Sequence, residues 1–128
     1  MIFEEKLAPF GFDMTEYLRR FDDTPQLYQE CLTLYTSSRN IDKLCEHYSN
    51  GEWEEAQKAA HTLKGSSANL ALTKLWDLYS RIVEILKSGD PGTAAPLVQE
   101  AAELESQLKE VTQGLKKIRR SKDGYTNF

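Results

Sequence analysis

One stretch of the chain brings a nucleophile, a cation and a residue without a side chain to helical spacing. These are His61, Lys64 and Gly65, with Gln57 one turn before the histidine and Ala68 two turns after it. Offsets of −4, +3, +4 and +7 from His61 place Gln57, Lys64, Gly65 and Ala68 on one helical face. The apolar stripe of the same segment is Ala56, Ala59, Ala60, Leu63 and Leu70, with Ser67 small enough to sit inside it. His61 therefore points away from the core, toward solvent or the edge of the stripe. An imidazole, with an ordinary pKa of about 6.5, is largely neutral and nucleophilic at cytosolic pH. A lysine one turn on supplies a compact positive charge within reach of phosphoryl oxygens on the ring. Gly65 is the informative member. Glycine inside a helix costs about 1 kcal/mol relative to alanine, and no turn signal surrounds it. The missing Cβ lets another protein's surface come close to the imidazole. Taken alone, the helical wheel leaves open the plainer reading of a surface histidine beside a tolerated glycine.

Other chemistries have weaker footing. His47 lies beside Glu46 on a polar face with no second ligand at metal spacing, so it reads as solvated. No Glu-x-x-His pair is present to build a di-metal centre in a helical bundle. Cys31 and Cys45 are 14 positions apart, about 21 Å on a single helix and far beyond the reach of a disulfide. They read as reduced, small core residues, and neither has the cationic neighbourhood of a nucleophilic thiol. Trp53 and Trp76 read as anchors at the edge of the core.

The elements that must position His61 are helical throughout, with no sustained strand alternation. A short opening helix is expected over about Met14–Asp22, with Asp13 and Glu16 as a capping box. Thr24-Pro25 then starts a long helix of about 24 residues. Its seam is Leu27, Cys31, Leu34, Ser38, Ile41, Cys45 and Tyr48, and Asn50-Gly51 ends it. The helix bearing His61 spans about Glu52–Leu70. Thr73 is placed to cap a fourth, running to Lys87 and burying Leu75, Leu78, Tyr79, Ile82, Ile85 and Leu86, with Gly89 as its stop and Asp90-Pro91-Gly92 as a turn. The last, about Thr93–Arg120, carries Leu97, Ala101, Leu104, Leu108, Val111, Leu115 and Ile118. The expected fold is all-α, an antiparallel up-down-up-down four-helix bundle with a short extra N-terminal helix. Residues 1–120 form the domain and 121–128 a flexible tail.

The 128 residues fit one domain, and 40% hydrophobic with 28% charged is ordinary for a soluble protein. A net charge of −4 argues against nucleic acid as a partner. The basic stretch Lys116–Lys122 could touch an acidic surface, and reads more simply as a solvated helix end. No apolar run approaches the roughly 20 residues that span a bilayer, and the acidic start is unlike a secretory signal. A cytoplasmic protein with no membrane partner is expected.

The segment His61-Thr62-Leu63-Lys64-Gly65-Ser66-Ser67-Ala68-Asn69-Leu70 resembles the signature of histidine phosphotransfer domains. That family follows its histidine with lysine at +3, glycine at +4 and a small residue at +6, matched here by Lys64, Gly65 and Ser67. The turn Asn50-Gly51-Glu52-Trp53 and the flanking helix lengths extend the likeness over roughly residues 12–119. One departure is Ala71, at +10, where the family often has glycine; at the helix end it bears on the C-terminal boundary and leaves the reactive face intact.

The resemblance implies a phosphorelay intermediate. His61 Nε2 would accept a phosphoryl group from a receiver-domain aspartate, or from a kinase, and pass it to a response-regulator aspartate. Lys64 would offset its charge, Gly65 and Ala68 would meet the partner, and Gln57 could bond a phosphoryl oxygen. The implied partners are receiver domains and hybrid histidine kinases. No cofactor or metal of its own is implied, the magnesium sitting on the receiver. Nothing resembles an ATP-binding segment, so the expectation is a carrier without autonomous kinase activity. A chain opening at Met1 and closing soon after the last helix suits a free-standing module; the close variant is a phosphoacceptor domain cut from a chemotaxis-type or hybrid histidine kinase. The alternative is a bundle that binds a receiver or another signalling protein without phosphoryl transfer, though such a module would not need the histidine.

Overall fold

The structure, a computed structural model, describes the backbone of residues 2–126 and the side chains of residues 3–116. It is all-α. The helices are α1 (Ile2–Leu7), α2 (Met14–Phe21), α3 (Pro25–Ser37), α4 (Asn40–Ser49), α5 (Trp53–Asn69), α6 (Thr73–Ser88) and α7 (Ala95–Thr126), with 3-10 turns at Ala8–Phe10 and Pro91–Ala94. Side chains from Lys117 on, including Ile118, lie outside the described residues. The backbone of α7 continues past the expected end at Arg120 through residues 121–126 of the expected tail, and residues 127–128 lie outside the described backbone. Among the described residues no helix is long and apolar enough to cross a membrane.

Several helix ends follow from local chemistry. Asp13 accepts the Glu16 backbone N–H at 3.2 Å, half of the expected capping box, while the Glu16 carboxylate turns to Arg19 and Arg20 instead. Gly51 and Gly89 take positive φ angles of 72° and 90° where α4 and α6 stop, conformations that cost glycine little. Thr24 and Thr73 do not cap with their side chains. The Thr73 hydroxyl goes to the Gly11 carbonyl at 2.6 Å, a contact between distant parts of the chain.

The expected long helix is broken in two. α3 ends at Ser37 and Ser38 is extended, with ψ 153°. Hydroxyls cause this: Thr33 donates to the Gln29 carbonyl, Thr36 to Leu32, and Ser38 to Tyr35. Such bonds compete with the helical ladder and bend it. The buried face also differs from the expected seam. Tyr28, Leu32 and Tyr35 are buried on α3, whereas Leu27 and Leu34 are 46% and 71% exposed. Large aromatics set this register, because they remove more apolar area from water than the leucines would.

α5 packs between α4 and α6, and α7 lies against α3, α4 and α6. The core is largely the expected one: Ala56, Ala60, Leu63 and Leu70 from α5 and the turn after it, Leu75 to Leu86 from α6, and Ala101, Leu104, Leu108 and Leu115 from α7. Sequence reading missed a second centre at the N-terminus. Phe3, Phe12, Tyr17, Phe21 and Tyr28 form a ring cluster with centroids 4.9–6.0 Å apart. The Tyr28 hydroxyl donates to the Leu70 carbonyl at 2.7 Å, tying this cluster to the end of α5.

It also missed a buried polar centre. Glu105 on α7 accepts hydrogen bonds from the Tyr35 and Tyr79 hydroxyls, each at 2.5 Å, joining α3, α6 and α7. Burial pushes the Glu105 carboxyl above the ordinary range while the two tyrosine bonds oppose the shift.

Candidate functional site

α5 forms because its 17 residues carry alanine, leucine and lysine at helical period, with Glu54 and Glu55 in the first turn where the helix dipole favours anions. Its inward side is Ala56, Ala60, Leu63 and Ser67, all buried. The small residues let α4 and α6 come close on either side. Ser67 spends its hydroxyl on the Lys64 carbonyl at 3.1 Å, which makes it a packing residue.

The outward side holds all five expected residues. His61 and Gly65 are exposed, while Gln57, Lys64 and Ala68 are half-buried beside them. His61 makes no hydrogen bond or ion pair with any described residue, so its ring is unencumbered. A Cβ built on Gly65 would meet nothing within 4 Å. The fold therefore imposes no need for glycine at this position.

The far end of the face is held by a strap from the N-terminus. The segment 11–13 pairs with 71–73: the Asp13 N–H donates to the Ala71 carbonyl at 2.9 Å, and the Thr73 N–H to the Gly11 carbonyl at 3.1 Å. Gly11 is required here, since φ is +77° and a Cβ would lie 2.5 Å from the Lys74 nitrogen. α5 closes with the Leu72 N–H donating to the Ser67 carbonyl and the Ala71 N–H to Ala68, the pattern that normally uses glycine at the left-handed position. Ala71 adopts that conformation, with φ 58°. The helix boundary has not moved to spare the alanine; the turn carries the strain.

α2 lies beside this end. Arg20 donates to the Asn69 side chain at 2.9 Å and to Glu16 at 3.1 Å, and Arg19 grips Glu16 at 2.7 Å. These two arginines hold the Glu16 carboxyl below its usual range. Sequence reading did not connect Arg19, Arg20 or Trp76 with the site, because all three come from outside the helix that bears His61.

The remaining candidates are elsewhere. His47 is not simply solvated: its Nδ1 sits 2.8 Å from Glu52 Oε1, across the turn into α5. Trp53 packs edge-on against Tyr48, whose hydroxyl donates to the Pro91 carbonyl. Trp76 is an exposed groove wall and not a core anchor. Cys31 and Cys45 are free, and burial raises the Cys45 thiol. Among the described residues no cluster of histidine, cysteine or carboxylates could hold a metal.

The family model for the Hpt domain matches residues 26–118. Searches of curated proteins and of solved structures matched nothing. The matched span exceeds half of the chain and contains the whole of α5 with the exposed histidine at its centre, and the chain accordingly belongs to the Hpt domain family, the histidine phosphotransfer domains of two-component phosphorelays.

Proposed function

We propose that His61 is the phosphoacceptor of a phosphorelay carrier, receiving from a receiver-domain aspartate or a kinase and delivering to a response-regulator aspartate. The observation that carries this reading is the pairing of a free, exposed His61 with a Gly65 that nothing in the fold requires. In the forward step the Nε2 lone pair of a neutral imidazole attacks phosphorus. The bond from phosphorus to the aspartate oxygen breaks, and its electron pair leaves on the carboxylate. Lys64 offsets charge on the phosphohistidine, Gln57 is within one turn for a hydrogen bond, and Gly65 and Ala68 lie under the partner.

The chain supplies position and little else, because phosphoryl transfer is driven by charge stabilisation that the receiver's acidic pocket and magnesium provide. It acts without cofactor or metal of its own and without kinase activity, in the cytoplasm. The scaffold we read is an antiparallel up-down-up-down bundle whose first arm is α3 plus α4. The short connections and the place of α5 between α4 and α6 support that reading.

The test is to incubate the protein with a phosphorylated receiver and Mg²⁺ and look for an acid-labile, alkali-stable label. It should appear in the wild type and vanish in His61→Gln. Label persisting in that variant would show that His61 is not the acceptor.

A further inference from the structure

Next to the His61 face runs a groove of about 370 Å³, lined by residues that include Arg19, Arg20, Ala68, Leu72 and Trp76. Ala68 belongs to both surfaces. Seven residues separate it from His61, about 10 Å along the helix. An ordinary interface takes about 800 Å² from each partner, a disc of roughly 16 Å radius. A partner centred on His61 therefore covers the groove as well.

The groove has two chemistries. Its floor and wall are apolar, formed by Ala68, Ala71, Leu72 and Trp76, with Trp76 42% exposed. Its rim carries Arg19 and Arg20 around Glu16, one net positive charge. Arg19 commits two of its three side-chain nitrogens to Glu16, and Arg20 commits one to Glu16 and one to Asn69. Each guanidinium keeps N–H donors free for a carboxylate. α2 lies outside the span 26–118 that matches the family, yet Tyr17 in the core and the Gly11–Asp13 strap fix it in place.

We propose that α2 and Trp76 form the part of the docking face that selects the receiver, taking an apolar side chain of that receiver in the groove and an adjacent carboxylate on Arg19 and Arg20. The inference rests on the carrier reading of His61. Trp76 supplies the anchor contact, since tryptophan and arginine dominate interface energetics. The arginine pair discriminates among receivers through charge and speeds encounter.

The test uses the full chain, a panel of receivers charged with acetyl phosphate, and phosphoramidate as a small donor that bypasses docking. Trp76→Ala should lower the second-order rate of transfer from the best receiver by about 30-fold. Arg19→Glu should lower it by about tenfold and flatten its dependence on ionic strength. Labelling by phosphoramidate should proceed normally in both, showing that His61 and its helix are intact. Wild-type transfer from the receiver in both variants would overturn the proposal. So would a parallel fall with both donors, which would mean the side chains support the fold and not docking. If no receiver labels the wild type, the carrier reading itself fails; if His61→Gln abolishes transfer while the groove variants do not, the carrier reading stands alone.

Discussion

Gly65 separates what the fold needs from what the partner needs. A glycine inside an exposed helical stretch costs about 1 kcal/mol relative to alanine. The space around Gly65 is open to at least 4 Å, so a new side chain meets no clash to offset the gain. Gly65→Ala and Gly65→Leu should both raise stability by about 1 kcal/mol, which for a domain of this size lifts Tm by about 4 °C. The same side chains stand one turn from His61, where a receiver must bring phosphorus within about 3–3.5 Å of the nitrogen. Displacing that approach by about 1 Å can cost 100-fold in rate. Leucine should therefore slow transfer by about 100-fold and alanine by less, in a chain that melts higher. Thermal unfolding followed by circular dichroism and rapid-quench transfer from a charged receiver measure the two effects. A leucine variant that transfers at the wild-type rate refutes the reasoning about close approach. One that melts lower shows that the fold needs the glycine after all.

At Gly11, alanine forces a Cβ to within 2.5 Å of backbone in a left-handed conformation; it should cost about 3 kcal/mol in chemical denaturation, and a loss below about 1 kcal/mol would mean the strap is soft. Ala71→Gly relieves about 1 kcal/mol of left-handed strain but gives up a buried methyl worth about 0.8 kcal/mol and loosens the unfolded chain by about 0.4–1 kcal/mol. Its net effect should lie within about 1 kcal/mol of zero, and a gain above about 2 kcal/mol would contradict that balance. For Glu105, burial holds the folded pKa above the unfolded one, so the folded chain binds that proton more tightly. This stabilisation is complete below the ordinary glutamate pKa of about 4.3 and is lost as pH rises through the raised folded value. Glu105→Gln keeps an acceptor for both tyrosines, so its stability relative to the wild type should climb as pH rises above the ordinary glutamate pKa of about 4.3; a constant difference would show that the carboxyl does not titrate with folding.

The helix bearing His61 was legible because everything that defines its faces lies within 17 consecutive residues. A single period of 3.6 sorts Ala56, Ala60 and Leu63 from His61 and Gly65. The stops at Gly51 and Gly89 were legible for a similar reason, since positive φ is a local demand. What escaped the sequence is non-local or competitive. The break at Ser38 depends on whether three hydroxyls bond backward or leave the ladder intact, and the seam kept its spacing through it with Ser38 as its only polar member. Leu34 kept the expected period yet faces solvent, because Tyr28, Leu32 and Tyr35 claim the core. Nothing local in the sequence sets Glu105 apart from the other acids of α7; only the packing of α3 and α6 brings tyrosines to it. The N-terminal strap pairs residues about 60 positions apart, and no local pattern announces such a pairing. The selecting surface around Trp76 escaped for that same reason.

A carrier must both take a phosphoryl group on His61 and give it up again. The most direct measurement is a chase: labelled protein, freed of its donor, is mixed with an unphosphorylated receiver and Mg²⁺. The label should leave His61 and appear on the receiver aspartate far faster than it is lost in buffer alone. Label that stays on the protein, or passes only to water with the receiver present, would contradict the account.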